Sequence, residues 1–108
     1  MPVVEDVSLD ALKAGLEDGS ILLVDVREPN EWNAGHIEGA VLNPLSNFDP
    51  AALPKAEGKR VVLHCRSGKR SVTALGLAQD NGRADVRAHF AGGMLEWAGA
   101  GEPVAEGS

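Results

Sequence analysis

The stretch 61–71, Val-Val-Leu-His-Cys-Arg-Ser-Gly-Lys-Arg-Ser, decides how this chain folds. Val61 and Val62 are β-branched, and Leu63 before the His is apolar, so residues 61–64 predict a buried strand. Cys65 lies at the turn that follows. The apolar-faced segment 69–81, which ends at Gly82, predicts a helix. A buried strand that passes through a tight loop into a helix is typical of a parallel α/β unit.

The same alternation of strand and helix extends over the rest of the chain. Further strand candidates recur about every 20 residues, at 21–26, 41–43 and 86–90. Helix-sized segments lie between and around them. The first has an apolar stripe over 9–16, begins after the N-cap residue Ser8 and stops at Asp18 and Gly19; a short helix is opened by Glu28 and Pro29 and closed by Gly35, a brief one starts at Asp49 and Pro50, and a last one lies at 94–98. Connections long enough to reverse the chain predict an α/β fold, with a parallel sheet and helices on both faces.

Length and cysteine content indicate one domain in a reducing compartment. The 108 residues, 44% of them hydrophobic, suit a single domain over 1–108. Its Gly- and Pro-containing tail, about 99–108, is expected to be loosely ordered. The single cysteine, Cys65, cannot form an internal disulfide, and no apolar run reaches the roughly 18 to 20 residues of a membrane helix. We therefore expect a cytoplasmic protein.

The charge distribution argues against nucleic acid and membranes as partners. Ten basic and sixteen acidic residues give a net charge of -6, which repels phosphate backbones and anionic lipid surfaces. Three of the ten cations, Arg66, Lys69 and Arg70, are nevertheless concentrated beside Cys65. The positive charge of this loop is thus local and opposite to that of the chain as a whole.

The surroundings of Cys65 predict a reactive thiol. Nearby cations, the positive end of the following helix and the backbone N–H groups of a Gly-containing loop all favour the thiolate. The same donors can hold a small dianion, which suits attack on an anionic sulfur or phosphorus centre. An inert core thiol beside a solvated helix end is the alternative interpretation. The loop context favours the reactive one.

Four motifs, in this order, resemble the rhodanese family of sulfurtransferases. They are Leu-Val-Asp-Val-Arg-Glu at 23–28, Gly-His-Ile-Glu-Gly-Ala at 35–40, the loop 65–71, and Phe-Ala-Gly-Gly through Trp at 90–97. The resemblance implies a single rhodanese-like domain with a parallel sheet of about five strands. It also implies a cysteine that accepts sulfane sulfur as a persulfide and passes it to a nucleophile.

The resemblance assigns roles to residues of this chain. Cys65 corresponds to the catalytic nucleophile. The residues that correspond to the substrate-binding cradle are Arg66, Ser67, Gly68, Lys69, Arg70 and Ser71. Asp25 and Arg27 match a family pair that supports the loop, and Glu31, three positions beyond the quoted stretch 23–28, belongs to the first motif as well.

The basic loop is similar to that of family members that use thiosulfate. Thiosulfate is a compact dianion, so guanidinium and ammonium groups suit its sulfonate end. Thiolate attack would release sulfite and leave a persulfide, which cyanide, a small thiol or an acceptor protein would remove. This chemistry requires no cofactor and no metal. The one Cys and three His show no CxxC or HxxxH spacing, which predicts no metal site.

The three histidines differ in their expected relation to the thiol. His36 lies in the Gly-His-Ile turn, which is a structural motif in the family. His64 precedes Cys65 on a strand and should point to the opposite face. His89 lies at the end of the last strand, near the active edge, and its role stays open.

Two alternatives from other classes remain. The first is a Cys-dependent phosphatase or arsenate reductase. Such phosphatases have an Arg six positions after the Cys, whereas here that position is Ser71 and Arg70 precedes it. The second is a persulfide carrier or regulatory binding module with little turnover.

Overall fold

The computed structural model describes residues 2–107 and contains one five-stranded sheet. Its strands are β1 (Glu5–Asp6), β2 (Ile21–Asp25), β3 (Val41–Leu42), β4 (Arg60–His64) and β5 (Ala88–His89). Their order across the sheet is β1-β5-β4-β2-β3, and every neighbouring pair is parallel. The predicted parallel sheet of about five strands is confirmed.

Helices cover both faces of this sheet, as the alternating pattern predicts. They are α1 (Leu9–Asp18), α2 (Pro29–Ala34), α3 (Lys69–Asp80) and α4 (Gly93–Gly99), with 3₁₀ turns at Leu45–Asn47 and Pro50–Ala52. Val61 and Leu63 of β4 share one hydrophobic cluster with Leu75 of α3. Val62, which points to the opposite face, shares the other cluster with residues of α1 and α4. In the described chain, none of the helices is both long and apolar enough to cross a membrane.

Local sequence signals determine where α1 begins and ends. The Ser8 side chain accepts a hydrogen bond from the Ala11 amide at 3.1 Å, which satisfies one of the free N–H groups of the first turn. Gly19 adopts a φ of 78° and ends the helix. Both features agree with the boundaries predicted from the sequence.

The edge strand β1 was not among the predicted strands. It pairs with β5 and places Glu5 opposite Ala88 and Asp6 opposite His89. Its two acidic residues carry no apolar alternation, so its strand conformation depends on the partner strand. The predicted strand 86–90 is correspondingly short in the structure, because the Val86 amide instead donates to the Arg83 carbonyl in a turn.

The described part of the tail, from Gly99 to Gly107, is hydrogen-bonded to the domain, whereas its composition predicts loose order; Ser108 lies outside the described residues. Ala105 and His36 exchange backbone hydrogen bonds of 2.8 Å in an antiparallel bridge, and the Gly107 amide donates to Asn33. The Trp97 indole N–H donates to the Pro103 carbonyl at 2.8 Å. These hydrogen-bond partners lie far from the tail in the sequence or belong to a side chain, so the composition of the tail does not predict them.

The start of α4 packs directly on the loop that follows β4. The Met94 amide donates to the Cys65 carbonyl at 2.9 Å, and the Leu95 amide donates to the Arg66 carbonyl at 3.1 Å. Gly93 has a φ of 59°, and a Cβ added there would clash with both carbonyl oxygens. A glycine at this position therefore lets α4 hold the loop in place.

We predict that Gly93→Ala destabilises the domain by more than about 1 kcal/mol, because it adds backbone strain and a clash. Gly76→Ala is the matched control, since a Cβ there meets only the Pro2 ring, at 3.8 Å. The control should be neutral or stabilising by up to about 1 kcal/mol. Urea unfolding of both variants measures the difference, and equal free energies of unfolding would contradict the packing argument.

Candidate active site

The sulfur of Cys65 lies inside the loop that joins β4 to α3. Cys65 is the first residue after β4 and is 1% exposed. The Gly68 amide donates to its Sγ atom at 3.2 Å, and the Ser71 hydroxyl lies 3.7 Å from the same atom. Gly68 has a φ of 93°, and a Cβ there would come within 2.7 Å of the Ala91 carbonyl oxygen. The loop can therefore curl around the sulfur only with glycine at this position.

Hydrogen bonds lower the pKa of the Cys65 thiol. Burial by itself raises this pKa, but the Ser71 amide and hydroxyl, together with the Ser67 and Gly68 amides, act in the opposite direction and outweigh it. These donors therefore stabilise the ionised form of Cys65 relative to that of an ordinary thiol. Of the three causes expected from the sequence, the structure shows the loop amides of Ser67 and Gly68 and, at the start of α3, the amide of Ser71 acting on the sulfur.

The three loop cations occupy different environments. Arg66 and Lys69 are exposed, and within residues 2–107 neither takes part in an ion pair. Arg70 instead forms a bidentate pair with Glu31 of α2, with N···O distances of 2.6 and 2.9 Å. Arg66 and Lys69 are thus the cations available to an anion, whereas Arg70 is already paired.

Glu31 is a residue of the site region to which sequence reasoning assigned no role. Its hydrogen bond with Arg70 lowers the pKa of its carboxyl group to about 2, despite the opposing effect of burial. Glu31 also accepts a hydrogen bond from the Glu28 amide at 3.1 Å, as part of the capping box of α2. The carboxylate therefore links the first turn of α2 to the start of α3.

Asp25 and Arg27 form a buried ion pair at the end of β2. Arg27 donates to both oxygens of the Asp25 carboxylate, at 3.0 and 2.7 Å, and to the Gly35 carbonyl at 2.7 Å. Asp25 is in register with His64 on the neighbouring strand. The pair connects the end of α2 to the strands that lead into the loop.

His64 lies where strand alternation predicts it and His36 where the family motif suggests, whereas His89 makes a contact that no motif predicts. His64 faces Asp25, 3.6 Å from its carboxylate, and burial lowers the pKa of its imidazole. His36 stacks on Trp32 with ring centroids 3.8 Å apart. The Nδ1 atom of His89, in contrast, lies 2.8 Å from the Ser71 hydroxyl and so reaches the surroundings of Cys65.

A cavity of about 610 Å³ adjoins the loop on the side of Arg66. It lies between α2 and α4, and its lining is mainly apolar apart from Arg27, Glu31 and Arg66. Cys65 is not among its lining residues, so the sulfur site is defined by the loop and not by this cavity. Residues 2–107 contain no cluster of three or more His, Cys, Asp or Glu side chains suited to a metal ion.

The sequence of this domain matches a known protein family. The profile of the rhodanese-like domain matches residues 8–100, which include all four of the motifs quoted above. The chain belongs to the rhodanese-like domain family. An uncharacterized protein of Synechocystis sp. is 43% identical over 88 residues, and this rhodanese-like chain spans 49% of that relative's length.

Two human comparisons extend over nearly whole chains. Human thiosulfate:glutathione sulfurtransferase is 36% identical over 105 residues, which cover 84% of this chain and 90% of that protein. The structure of the human single-domain sulfurtransferase TSTD1 superposes with a TM-score of 0.72 at 35% identity, covering 87% of this chain and 95% of that one. This rhodanese-like domain is thus similar in length to these two proteins.

We predict that the ion pair between Glu31 and Arg70 makes stability depend on pH below about 4.5. Because folding lowers the Glu31 pKa to about 2, its contribution is complete above the unfolded-state value and is lost as pH falls towards the folded-state value. The contribution should be at most about 1 kcal/mol, since both side chains are partly exposed.

Urea unfolding of wild type and Glu31→Gln at a series of pH values checks this prediction. The difference in free energy of unfolding between the two proteins should shrink as the pH is lowered from about 5 to about 3. Glu38→Gln, at an exposed acidic position, is the control and should leave the profile unchanged. A difference that stays constant over this range would contradict the assignment.

Proposed function

We propose that this protein is a sulfurtransferase that takes sulfane sulfur from thiosulfate, holds it as a Cys65 persulfide and passes it to a thiol, cyanide or an acceptor protein. The observation that carries the proposal is the convergence of loop amides and the Ser71 hydroxyl on Sγ. The similarity to a human thiosulfate:glutathione sulfurtransferase supports it. A reducing compartment such as the cytoplasm would keep the thiol free.

The first half-reaction begins with an ionised Cys65. The thiolate attacks the outer sulfur of thiosulfate, a new S–S bond forms, and the original S–S bond breaks. Sulfite leaves with the electron pair of that bond and so carries away the charge that the thiolate brought, while the outer sulfur keeps its own negative charge as the terminal sulfur of the persulfide. No proton is exchanged and no external oxidant or reductant is needed.

The loop stabilises both anions that this reaction creates. The amides of Ser67 and Gly68, which lower the pKa of the thiol, are suited to hold the charge of the persulfide as well. Arg66 and Lys69 are exposed and able to bind the sulfonate end of the donor. Arg70 shapes the loop through Glu31 and is not the first cation that the donor meets.

In the second half-reaction a nucleophile attacks the terminal sulfur. Cyanide, for example, forms a bond to that sulfur, the persulfide S–S bond breaks, and the electron pair returns to Cys65 as thiolate. The products are thiocyanate and free enzyme, so the cycle is of the ping-pong type. A persulfide carrier with little turnover would share the first half-reaction and differ only in the rate of this second one.

The ion pair of Arg70 weakens the phosphatase alternative. A phosphatase loop needs a guanidinium that faces a bound phosphate, and here the Arg70 guanidinium is bound by both oxygens of Glu31. Turnover of p-nitrophenyl phosphate that is lost in Cys65→Ser would favour the phosphatase over the sulfurtransferase.

We predict that thiosulfate adds the mass of one sulfur atom to the wild-type protein and none to Cys65→Ser. Cyanide should then restore the original mass and release thiocyanate in repeated cycles. Intact-mass spectrometry and a thiocyanate assay measure the two steps. Wild type that gains no sulfur sinks the proposal, and one cycle without further turnover supports the carrier instead.

We predict that Arg66→Ala raises the KM for thiosulfate about tenfold, because it removes a charge-assisted contact to the sulfonate. With an uncharged persulfide donor, the same variant should change KM less than about twofold. Arg60→Ala is the matched control: Arg60 begins β4, at the end of the strand remote from Cys65, and pairs with Glu5. Equal losses with both donors would show that Arg66 maintains the loop and does not bind the anion.

A further inference from the structure

A chain of two hydrogen bonds connects Cys65 to His89. The Ser71 hydroxyl lies 3.7 Å from Cys65 Sγ, and the Nδ1 atom of His89 lies 2.8 Å from the same hydroxyl. Cys65, Ser71 and His89 are 1%, 0% and 5% exposed. At this depth the direction of each hydrogen bond is determined by the other groups of the chain and not by bulk water. The thiol is thereby coupled to a titratable imidazole.

We propose that His89 is a positioning residue that takes up the proton of Cys65 through Ser71 and so favours the thiolate. The inference rests on the proposed function, because it concerns how the thiol that would receive the sulfur becomes ionised. It assigns His89 a role that neither the motifs nor the cations of the loop suggest.

The proton transfer balances within the three side chains. In the thiol state, Sγ–H donates to Ser71 Oγ and the Ser71 hydroxyl donates to Nδ1 of neutral His89. As the S–H bond breaks, its proton bonds to Ser71 Oγ, and the original hydroxyl proton bonds to Nδ1. The products are a thiolate, an unchanged serine and an imidazolium, and both hydrogen bonds now run from His89 towards the sulfur.

The surroundings of His89 suit a proton acceptor. Burial lowers the pKa of His89, while the carboxylate of Asp6 acts in the opposite direction. Burial therefore favours the neutral imidazole, whose Nδ1 atom can accept a hydrogen bond from Ser71, and an ionised partner is needed to stabilise the imidazolium. Asp6 lies opposite His89 on β1, and the register partner on β4 is the apolar Leu63. Negative charge on Cys65 in turn favours positive charge on His89.

A purely structural His89 predicts a different behaviour. Ser71 Oγ also lies 3.2 Å from the Gly68 carbonyl oxygen, so the hydroxyl has another acceptor when His89 is absent. If His89 only filled space, its replacement would change stability and leave the titration of Cys65 unaffected. The pH dependence of thiol reactivity therefore separates the two roles.

The test is the alkylation rate of Cys65 by iodoacetamide, a neutral reagent, over a range of pH. His89→Asn retains a hydrogen-bonding group near Ser71 but cannot take up a proton. We expect its rate to be about threefold to tenfold below wild type at about pH 6 and equal to wild type at about pH 9, so that the midpoint moves upward. His36→Asn is the matched control, because His36 is also buried and its Nδ1 contacts the Trp32 carbonyl instead.

Ser71→Ala provides a second variant that leaves His89 intact. It should raise the midpoint at least as far as His89→Asn, and adding His89→Asn to Ser71→Ala should change the rate less than about twofold. An unshifted midpoint in either single variant, a full additional effect in the double variant, or an equal shift in His36→Asn would overturn the inference.

Thiosulfate loading of the same proteins separates this inference from the proposed function. Wild type that gains no sulfur but shows the shift in His89→Asn sinks the sulfurtransferase and leaves the proton acceptor standing. Wild type that gains sulfur while His89→Asn keeps the wild-type profile sinks the proton acceptor alone.

Discussion

The structure of the site depends on one constraint: the backbone must turn tightly enough after β4 for its amides to point at the Cys65 sulfur. Two contacts maintain this turn. Gly68 lies against the Ala91 carbonyl, and the first amides of α4 donate to the carbonyls of Cys65 and Arg66. Because the loop carbonyls are bound by α4, the loop amides remain free to face the sulfur. The chemistry is thus supported by helix packing at the opposite side of the loop.

The hydrogen bonds of the loop explain how a buried Cys65 thiol can have a lowered pKa. A thiol that is 1% exposed would ordinarily be inert, since a low-dielectric environment disfavours the charged form. Here the hydrogen bonds of Ser67, Gly68 and Ser71 outweigh that effect and the net pKa is lowered. The balance is local: a loop with the same side chains but with its amides turned outward would contain an unreactive core cysteine.

Two ion pairs beside α2 connect the elements around the loop. The buried Arg27 pairs with Asp25 of β2 and also donates to the Gly35 carbonyl at the end of α2, and the partly exposed Glu31–Arg70 pair joins the first turn of α2 to α3. The second pair also occupies Arg70, which is one of the three cations of the loop. It leaves Arg66 and Lys69 as the exposed cations, so the capacity for an anion is smaller than the count of basic residues suggests.

Local sequence patterns predict four of the five strands, both helical layers and the position of Cys65 in the loop after β4. These features depend on interactions between residues that are close in the chain: apolar runs in β2 and β4, the Ser8 cap and Gly19 stop of α1, and the glycine of the loop. Propensity, capping and glycine conformation act over a few residues and are readable without coordinates. The family motifs carry the same kind of local information.

The packing of elements that are distant in the chain determines which side chains meet across the sheet. β1 exists because β5 pairs with it, Arg70 is engaged because α2 brings Glu31 to it, and His89 reaches Ser71 because β5 and α3 pack together. Eighteen positions separate Ser71 from His89 and 39 separate Glu31 from Arg70. Contacts of this kind follow from strand order and helix packing, which no local pattern encodes.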